Sequence, residues 1–131
     1  MGKKILFADD AHPILRQELE SLGYSCEEFP GYNRKDFEDS IGEYTGIIIR
    51  SKFMLDKTIL DKAINLKFIG RVGSGMESID VDYARTKGII CLNSPEGNRD
   101  AVGEHALGML LSLMNHLNRA DREVREGKWK R

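Results

Sequence analysis

The chain is poor in cysteine. Only Cys26 and Cys91 occur in 131 residues, with no ligand spacing and no disulfide-rich context, so a disulfide-stapled scaffold and a cysteine-built metal site are excluded and both thiols are expected reduced in a cytoplasmic protein. Neither sign of charge is in excess. A net charge of −1 leaves no basic surplus to hold nucleic acid and no polybasic tail for a membrane surface. Long hydrophobic runs are also missing: the longest, around Ala106 to Met114, is too short to span a bilayer. No cleavable signal follows the opening MGKKILFADD, and Gly2 lacks the Ser or Thr at position 6 that myristoylation requires. No Ser/His/Asp or Cys/His arrangement, metal-ligand cluster or P-loop is present. His12, His105 and His116 share no motif, so His12 reads as a loop residue and Glu104-His105 as helix packing.

What remains is an ordinary globular composition, 40% hydrophobic and 31% charged, in a length that fits one domain with a real core. Short apolar runs recur at Ile5 to Phe7, Tyr24 to Glu28, Ile47 to Ile49, Phe68-Ile69 and Ile89 to Leu92. Their starts lie roughly 20 to 22 residues apart, room for one strand and one helix per unit. Helical patterns fill the gaps. Ile14, Leu15, Leu19 and Leu22 share a face closed by Gly23, Phe37 and Ile41 are four apart, Asp56 caps a helix carrying Ile59 and Leu60, and Asp80 caps a short one ending near Gly88. Near-continuous apolar strands alternating with helices mean a five-stranded parallel α/β sheet covered on both faces. A leucine-rich solenoid has a similar period, but no L-x-x-L-x-L signature repeats. From about Arg99 to Asn118 the pattern is one long helix, roughly 30 Å, with Val102, Ala106, Met109, Leu110, Leu113, Met114 and Leu117 on a broad stripe. Leu107 and Leu111 lie on another side, so this helix needs cover from several directions.

An open parallel sheet keeps its ligands at the carboxyl ends of its strands, and four motifs fall there. ILFADD ends the first strand. A receiver domain would need a phosphorylatable Asp after the third strand, where Arg50 stands, so Asp9 or Asp10 is expected to cap the helix begun near Pro13. RSK, Arg50 to Lys52, is either a solvated loop or a holder of carboxylate or phosphate. GSGMES, residues 73 to 78, is one residue short of G-x-G-x-x-G: Ser78 replaces the third glycine, the loop follows the fourth strand, and no acid closes a second strand about 20 residues on. It is a weak pyrophosphate loop, and either a turn offering N–H groups to a small anion or a ligand-free tight turn. NSPEGN, Asn93 to Asn98, is a turn and possible hinge before the long helix, with Asn98 its candidate N-cap.

RSK, LKFIGRVGSGMESIDVDYARTKGIICLNSPEGN, AVGEHALGMLLSL and the closing GKWKR, in that order, resemble the D-2-hydroxyacid dehydrogenases, and within them the phosphoglycerate dehydrogenase branch of serine biosynthesis. The resemblance covers nearly the whole chain and is strong from Ile47 onward. It implies a flavodoxin-like sheet of order 2-1-3-4-5 with helices on both faces and a long C-terminal crossing helix. It divides the chain into a substrate domain, 1–98, and a crossing helix with the start of a linker, 99–131, leading to a Rossmann NAD domain that this chain lacks. It further implies that Arg50, Ser51, Arg71, Ser74, Gly75 and Asn98 contact substrate, that Ser74 also approaches the nicotinamide of NAD, and that the catalytic residues lie in the absent domain. With no metal-ligand cluster in the sequence, no metal is expected. The partner that the resemblance implies is a small 2-hydroxy or 2-oxo acid. The apolar stripe of helix 99–118 is too large a patch for a monomer, so a second copy in a homodimer is expected, and the charge balance leaves no nucleic-acid or membrane partner.

One position departs from the family. An arginine is common where Asn115 stands, which puts a phosphate-bearing substrate in question. The implied activity is NAD-dependent oxidation of a small D-2-hydroxy acid, 3-phosphoglycerate first, or its reverse, with this chain alone inactive. The alternative is a non-catalytic α/β binding or dimerisation module. A strand followed by G-x-G-x-x-G within about 30 residues after Arg131 is expected in the first case and not in the second.

Overall fold

The computed structural model describes residues 3–129. Gly2 of the myristoylation reading, and Lys130 and Arg131 of the closing motif, lie outside the described residues. Strands and helices alternate: β1 (Lys4–Phe7), α1 (Pro13–Ser21), β2 (Ser25–Glu28), α2 (Arg34–Ser40) with a 3-10 turn (Ile41–Glu43), β3 (Gly46–Ile49), α3 (Lys57–Lys62), β4 (Phe68–Arg71), α4 (Val81–Thr86), β5 (Ile90–Asn93), α5 (Glu96–Met114) and α6 (Leu117–Arg125). The strands all pair in parallel, in the order β2-β1-β3-β4-β5. Two compact units result, Met1–Pro95 and Glu96–Arg131. No helix among the described residues is long and apolar enough to cross a membrane.

Alternation along each strand sorts the side chains of the sheet into two layers. Leu6, Ala8, Ile47, Ile49 and Ile69 pack on one face with Phe37 of α2, Ile59 and Leu60 of α3 and Ala84 of α4. Ile5, Phe7, Cys26 and Ile48 pack on the other, with Leu15 and Leu19 of α1. β3 is buried along its whole length, which is why its sequence is GIII with no polar alternation. It begins with glycine because Gly46 stands opposite Phe68, whose ring fills the space that a Cβ would need. Within this unit, Ile90 and Leu92 of β5 remain exposed.

The caps at Asp56 and Asp80 form as expected, each side chain accepting a backbone N–H from the third residue on. Gly23 and Gly88, both at positive φ, follow α1 and α4. The cap of α1 differs from the expectation. Pro13 takes the first helical position and places the N-cap at His12, whose Nδ1 accepts from the Ile14 N–H at 3.3 Å. Asp9 and Asp10 stand too early in the chain for that role.

The long helix also differs at both ends. It starts at Glu96, directly after Pro95, whose fixed φ and missing N–H suit a helix entrance. Asn98 is therefore inside the first turn and not the N-cap. At the other end the Asn115 side chain donates to the Leu111 carbonyl at 3.0 Å, and His116 adopts a left-handed φ of 54°. Together they end the helix at Met114, so Leu117 opens α6 and does not extend the stripe of α5. No residue of α5 is buried.

At the amino edge of the sheet, the Tyr44 hydroxyl donates to Glu27 at 2.7 Å, and Lys4 pairs with Glu27 at 3.1 Å and Glu43 at 3.3 Å. Burial, then the hydrogen bond to Glu27, push the Tyr44 phenol from 10.0 up to about 12. The folded state thus holds this proton more tightly than the unfolded chain, so the contact's stability is intact below pH 10 and is lost as the pH rises through about 12. Urea midpoints measured across that window should fall more steeply for the natural chain than for Tyr44→Phe. Equal slopes would show that the contact does not couple to folding.

Candidate functional site

In this strand order β1 lies beside β3, and the chain winds one way from β1 to β2 and the other way from β2 past β1 to β3, β4 and β5. The crevice at the carboxyl ends of β1 and β3 is the switch point where ligands of open α/β sheets bind. The two strands leave the sheet together: the Ala8 N–H donates to the Ile48 carbonyl at 2.8 Å. Asp9 therefore emerges against the turn that follows β3. Its Oδ2 accepts the backbone N–H groups of Arg50, Ser51 and Lys52 at 2.7, 3.0 and 3.1 Å. Three successive amides converging on one carboxylate form an anion nest filled from within the chain. Beyond the turn, the buried Phe53 and Leu55 anchor the segment in the core, Phe53 stacking on Phe37 at 4.5 Å between centroids. Lys52 donates from Nζ to the Phe29 carbonyl at 2.9 Å and sits 4.4 Å from the centre of the Tyr32 ring. The side chains of Arg50 and Ser51 are left facing solvent.

The next turn leaves β4 at the same level, Ile49 pairing with Arg71 and the Val72 N–H donating to the Ile49 carbonyl at 2.8 Å. Gly73 has a φ of +149°, a conformation other residues adopt only under strain. The guanidinium of Arg71 occupies the place of its absent side chain. Arg71 donates from Nη1 to the Val72 carbonyl at 3.2 Å, while its Nε is buried with no hydrogen-bond partner among the described residues. The end of β5 braces this turn: the Ser94 N–H donates to the Gly73 carbonyl at 2.9 Å and Asn93 Nδ2 to the Ser74 carbonyl at 2.7 Å. An isolated parallel bridge between Leu55 and Ile79 ties the segments after β3 and β4 together.

Arg50, Ser51, Arg71, Ser74 and Gly75 thus share one edge of one unit. Asn98 belongs to the other unit, in the first turn of α5. A cavity of about 350 Å³ opens on the β1–β2 side of the same edge, lined by Asp9, Asp10, Arg16, Glu28, Tyr32 and Lys52 among others. Arg16 is already committed there, to Glu28 at 2.6 Å. Among the described residues, no group of three or more His, Cys, Asp or Glu side chains could hold a metal ion.

The glycine turn does not fit a pyrophosphate. The Glu77 carboxylate lies where a Cβ on Gly75 would be, and so would face the phosphates with like charge. The helix that follows starts only at Val81 and has 6 residues, so no helix N-terminus backs the turn.

The family model for the catalytic domain of D-isomer specific 2-hydroxyacid dehydrogenases matches residues 5–126. The chain belongs to this family. A D-3-phosphoglycerate dehydrogenase of Synechocystis is 41% identical over 98% of this chain and 23% of its own length. Of solved structures, a protein from Pyrococcus horikoshii superposes with a TM-score of 0.85 at 25% identity, over 100% of this chain and 39% of its own. An NAD+-bound 3-phosphoglycerate dehydrogenase from Entamoeba histolytica does so with a TM-score of 0.71 at 26% identity, over 86% of this chain and 39% of its own. The chain thus spans about a quarter of the length of the curated relatives it matches.

Within this 2-hydroxyacid dehydrogenase domain, reading the motifs one at a time missed Asp9 as the partner of the RSK turn and Lys52 as its brace. The signal was available: an order of 2-1-3 sets the acids that end β1 beside the turn that ends β3. The glycine turn yields a direct test. Gly73→Ala should lower the unfolding free energy by about 1–3 kcal/mol, measured by urea denaturation, because it strains φ and displaces Arg71. An unchanged midpoint would mean that the turn is free to relax.

Proposed function

We propose that this chain is the substrate half of a cytoplasmic oxidoreductase that interconverts a small D-2-hydroxy acid and its 2-oxo acid with NAD, and that 3-phosphoglycerate is the first substrate to try. The observation that carries this reading is the meeting of the Arg50–Ser51 turn and the Ser74–Gly75 turn on one carboxyl edge, in a chain of this family. In the proposal the strand-and-helix unit binds substrate, and the helical unit, which begins at Glu96, carries the long helix and the start of a linker. Amides of the Ser74–Gly75 turn hold the substrate carboxylate, and Ser74 also faces the nicotinamide. Arg50 and Ser51 hold the other end, Arg71 adds a second cation, and Asn98 is a further candidate contact. NAD and the groups that move the proton are held by parts of the complete protein outside this chain, in keeping with the poor fit of the glycine turn to pyrophosphate.

The phosphate-bearing substrate is favoured by the resemblance to D-3-phosphoglycerate dehydrogenases and by two arginines at one edge. Asn115 does not supply the family's arginine and instead ends α5. A second reading, a non-catalytic dimerisation module, is favoured by α5 itself, which exposes Val102, Leu107, Met109, Leu110 and Leu113. Both readings include a homodimer.

The complete protein should reduce NAD with D-3-phosphoglycerate, and the 131-residue chain alone should not. In the complete protein, Arg50→Ala should cost about 2–4 kcal/mol of transition-state stabilisation. An unchanged kcat/KM would remove Arg50 from the site, and a complete protein with no NAD-linked activity on any 2-hydroxy acid would leave the module reading. Light scattering should show the chain self-associated, and a clean monomer at high concentration would contradict the homodimer.

A further inference from the structure

We infer that Asp9 is a positioning residue for substrate binding: its carboxylate is the built-in anion that holds the Arg50–Ser51 turn in the shape that presents those two side chains. The inference rests on the dehydrogenase reading for its functional half, and on geometry alone for the rest.

The N–H groups of Arg50, Ser51 and Lys52 have no strand to pair with once β3 ends at Ile49. Each must find an acceptor or face water. All three find the same oxygen of Asp9, at 2.7 to 3.1 Å. A full negative charge suits three converging donors better than a neutral carbonyl does, because charge-assisted bonds are about twice as strong. The residue comes from the segment that follows β1 and not from the turn itself, so the bond fixes the turn relative to the end of β1 and sets the direction in which Arg50 and Ser51 leave the sheet. A filled nest also has no amide left for the substrate's own carboxylate. The acid is thereby directed to the Ser74–Gly75 turn, and only side chains of the Arg50–Ser51 turn meet the ligand. Asp9 touches no reacting atom in this arrangement. Because Arg50 and Ser51 hold substrate and transition state alike, losing their placement raises KM and leaves kcat.

The test uses the complete protein with NAD and D-3-phosphoglycerate, carrying Asp9→Ala or the conservative Asp9→Asn. Asp9→Ala should raise KM about ten-fold with kcat within about two-fold, and Asp9→Asn should raise it less. Sodium formate, a free carboxylate able to enter the emptied nest, should lower the KM of Asp9→Ala and not that of the natural protein. A merely structural role would reduce the amount of folded enzyme, so a fall in apparent kcat at unchanged KM would overturn the inference. A raised KM that formate does not move would overturn it too. In parallel, the backbone amide shifts of Arg50, Ser51 and Lys52 in the 131-residue chain should change in Asp9→Asn, and in Asp9→Ala should return towards the natural values as formate is added. A complete protein inactive on every 2-hydroxy acid would defeat the dehydrogenase reading alone. The amide shifts would then decide, and shifts unmoved by either variant would overturn the placement of the turn by Asp9.

Discussion

Every loop of the candidate site hangs from β3, and β3 is held by burial on both faces. Ile47 and Ile49 face the larger core layer and Ile48 the smaller one. Fully burying an isoleucine side chain contributes about 1.5–3 kcal/mol, so this short strand is costly to displace by even one residue of register. A one-residue slip would exchange its two faces. With the register of β3 fixed, β1 on one side and β4 on the other end at the same level. The turns after all three strands then leave the sheet together.

The two edges of the sheet have different work. At the amino edge, Lys4, Glu27, Glu43 and Tyr44 are joined by ion pairs and a hydrogen bond that serve the fold. At the carboxyl edge the polar groups are spent on shaping turns. Asp9 gathers three amides, Asn93 and Ser94 brace the glycine turn, and Lys52 ties the turn after β3 to the one after β2. That bracing leaves Arg50 and Ser51 exposed on a backbone that is itself tied down, which is the combination a binding site requires: fixed origin, free chemistry.

Much of this was legible in the sequence because burial leaves a mark on composition. The all-apolar GIII and the spacing of the strands gave the parallel sheet, and Asp56 and Asp80 marked helix starts through ordinary capping. The misses have a common cause, in that the residues concerned act on partners distant in the chain or compete with a neighbour. Asp9 looked like a cap because caps are local, while its partners lie some forty residues away across a strand pairing. Asn98 looked like a cap because asparagine favours that position, but Pro95 had already started the helix. The long stripe ran on through Leu117 in hydrophobic period alone, and only the side chain of Asn115 and the left-handed His116 stop it at Met114. Strand order and the family motifs together mark only a candidate site. The braces around it are visible only in the folded chain.

In the proposed reading a small 2-hydroxy or 2-oxo acid is held between the Arg50–Ser51 turn and the Ser74–Gly75 turn. A crystal structure of the complete protein with NAD and D-3-phosphoglycerate tests it most directly. The substrate carboxylate should lie against the amides of Ser74 and Gly75, with Arg50 at the opposite end and the Asp9 carboxylate still in its nest. Substrate bound instead in the cavity beside Tyr32 and Lys52, or away from this edge altogether, would contradict it.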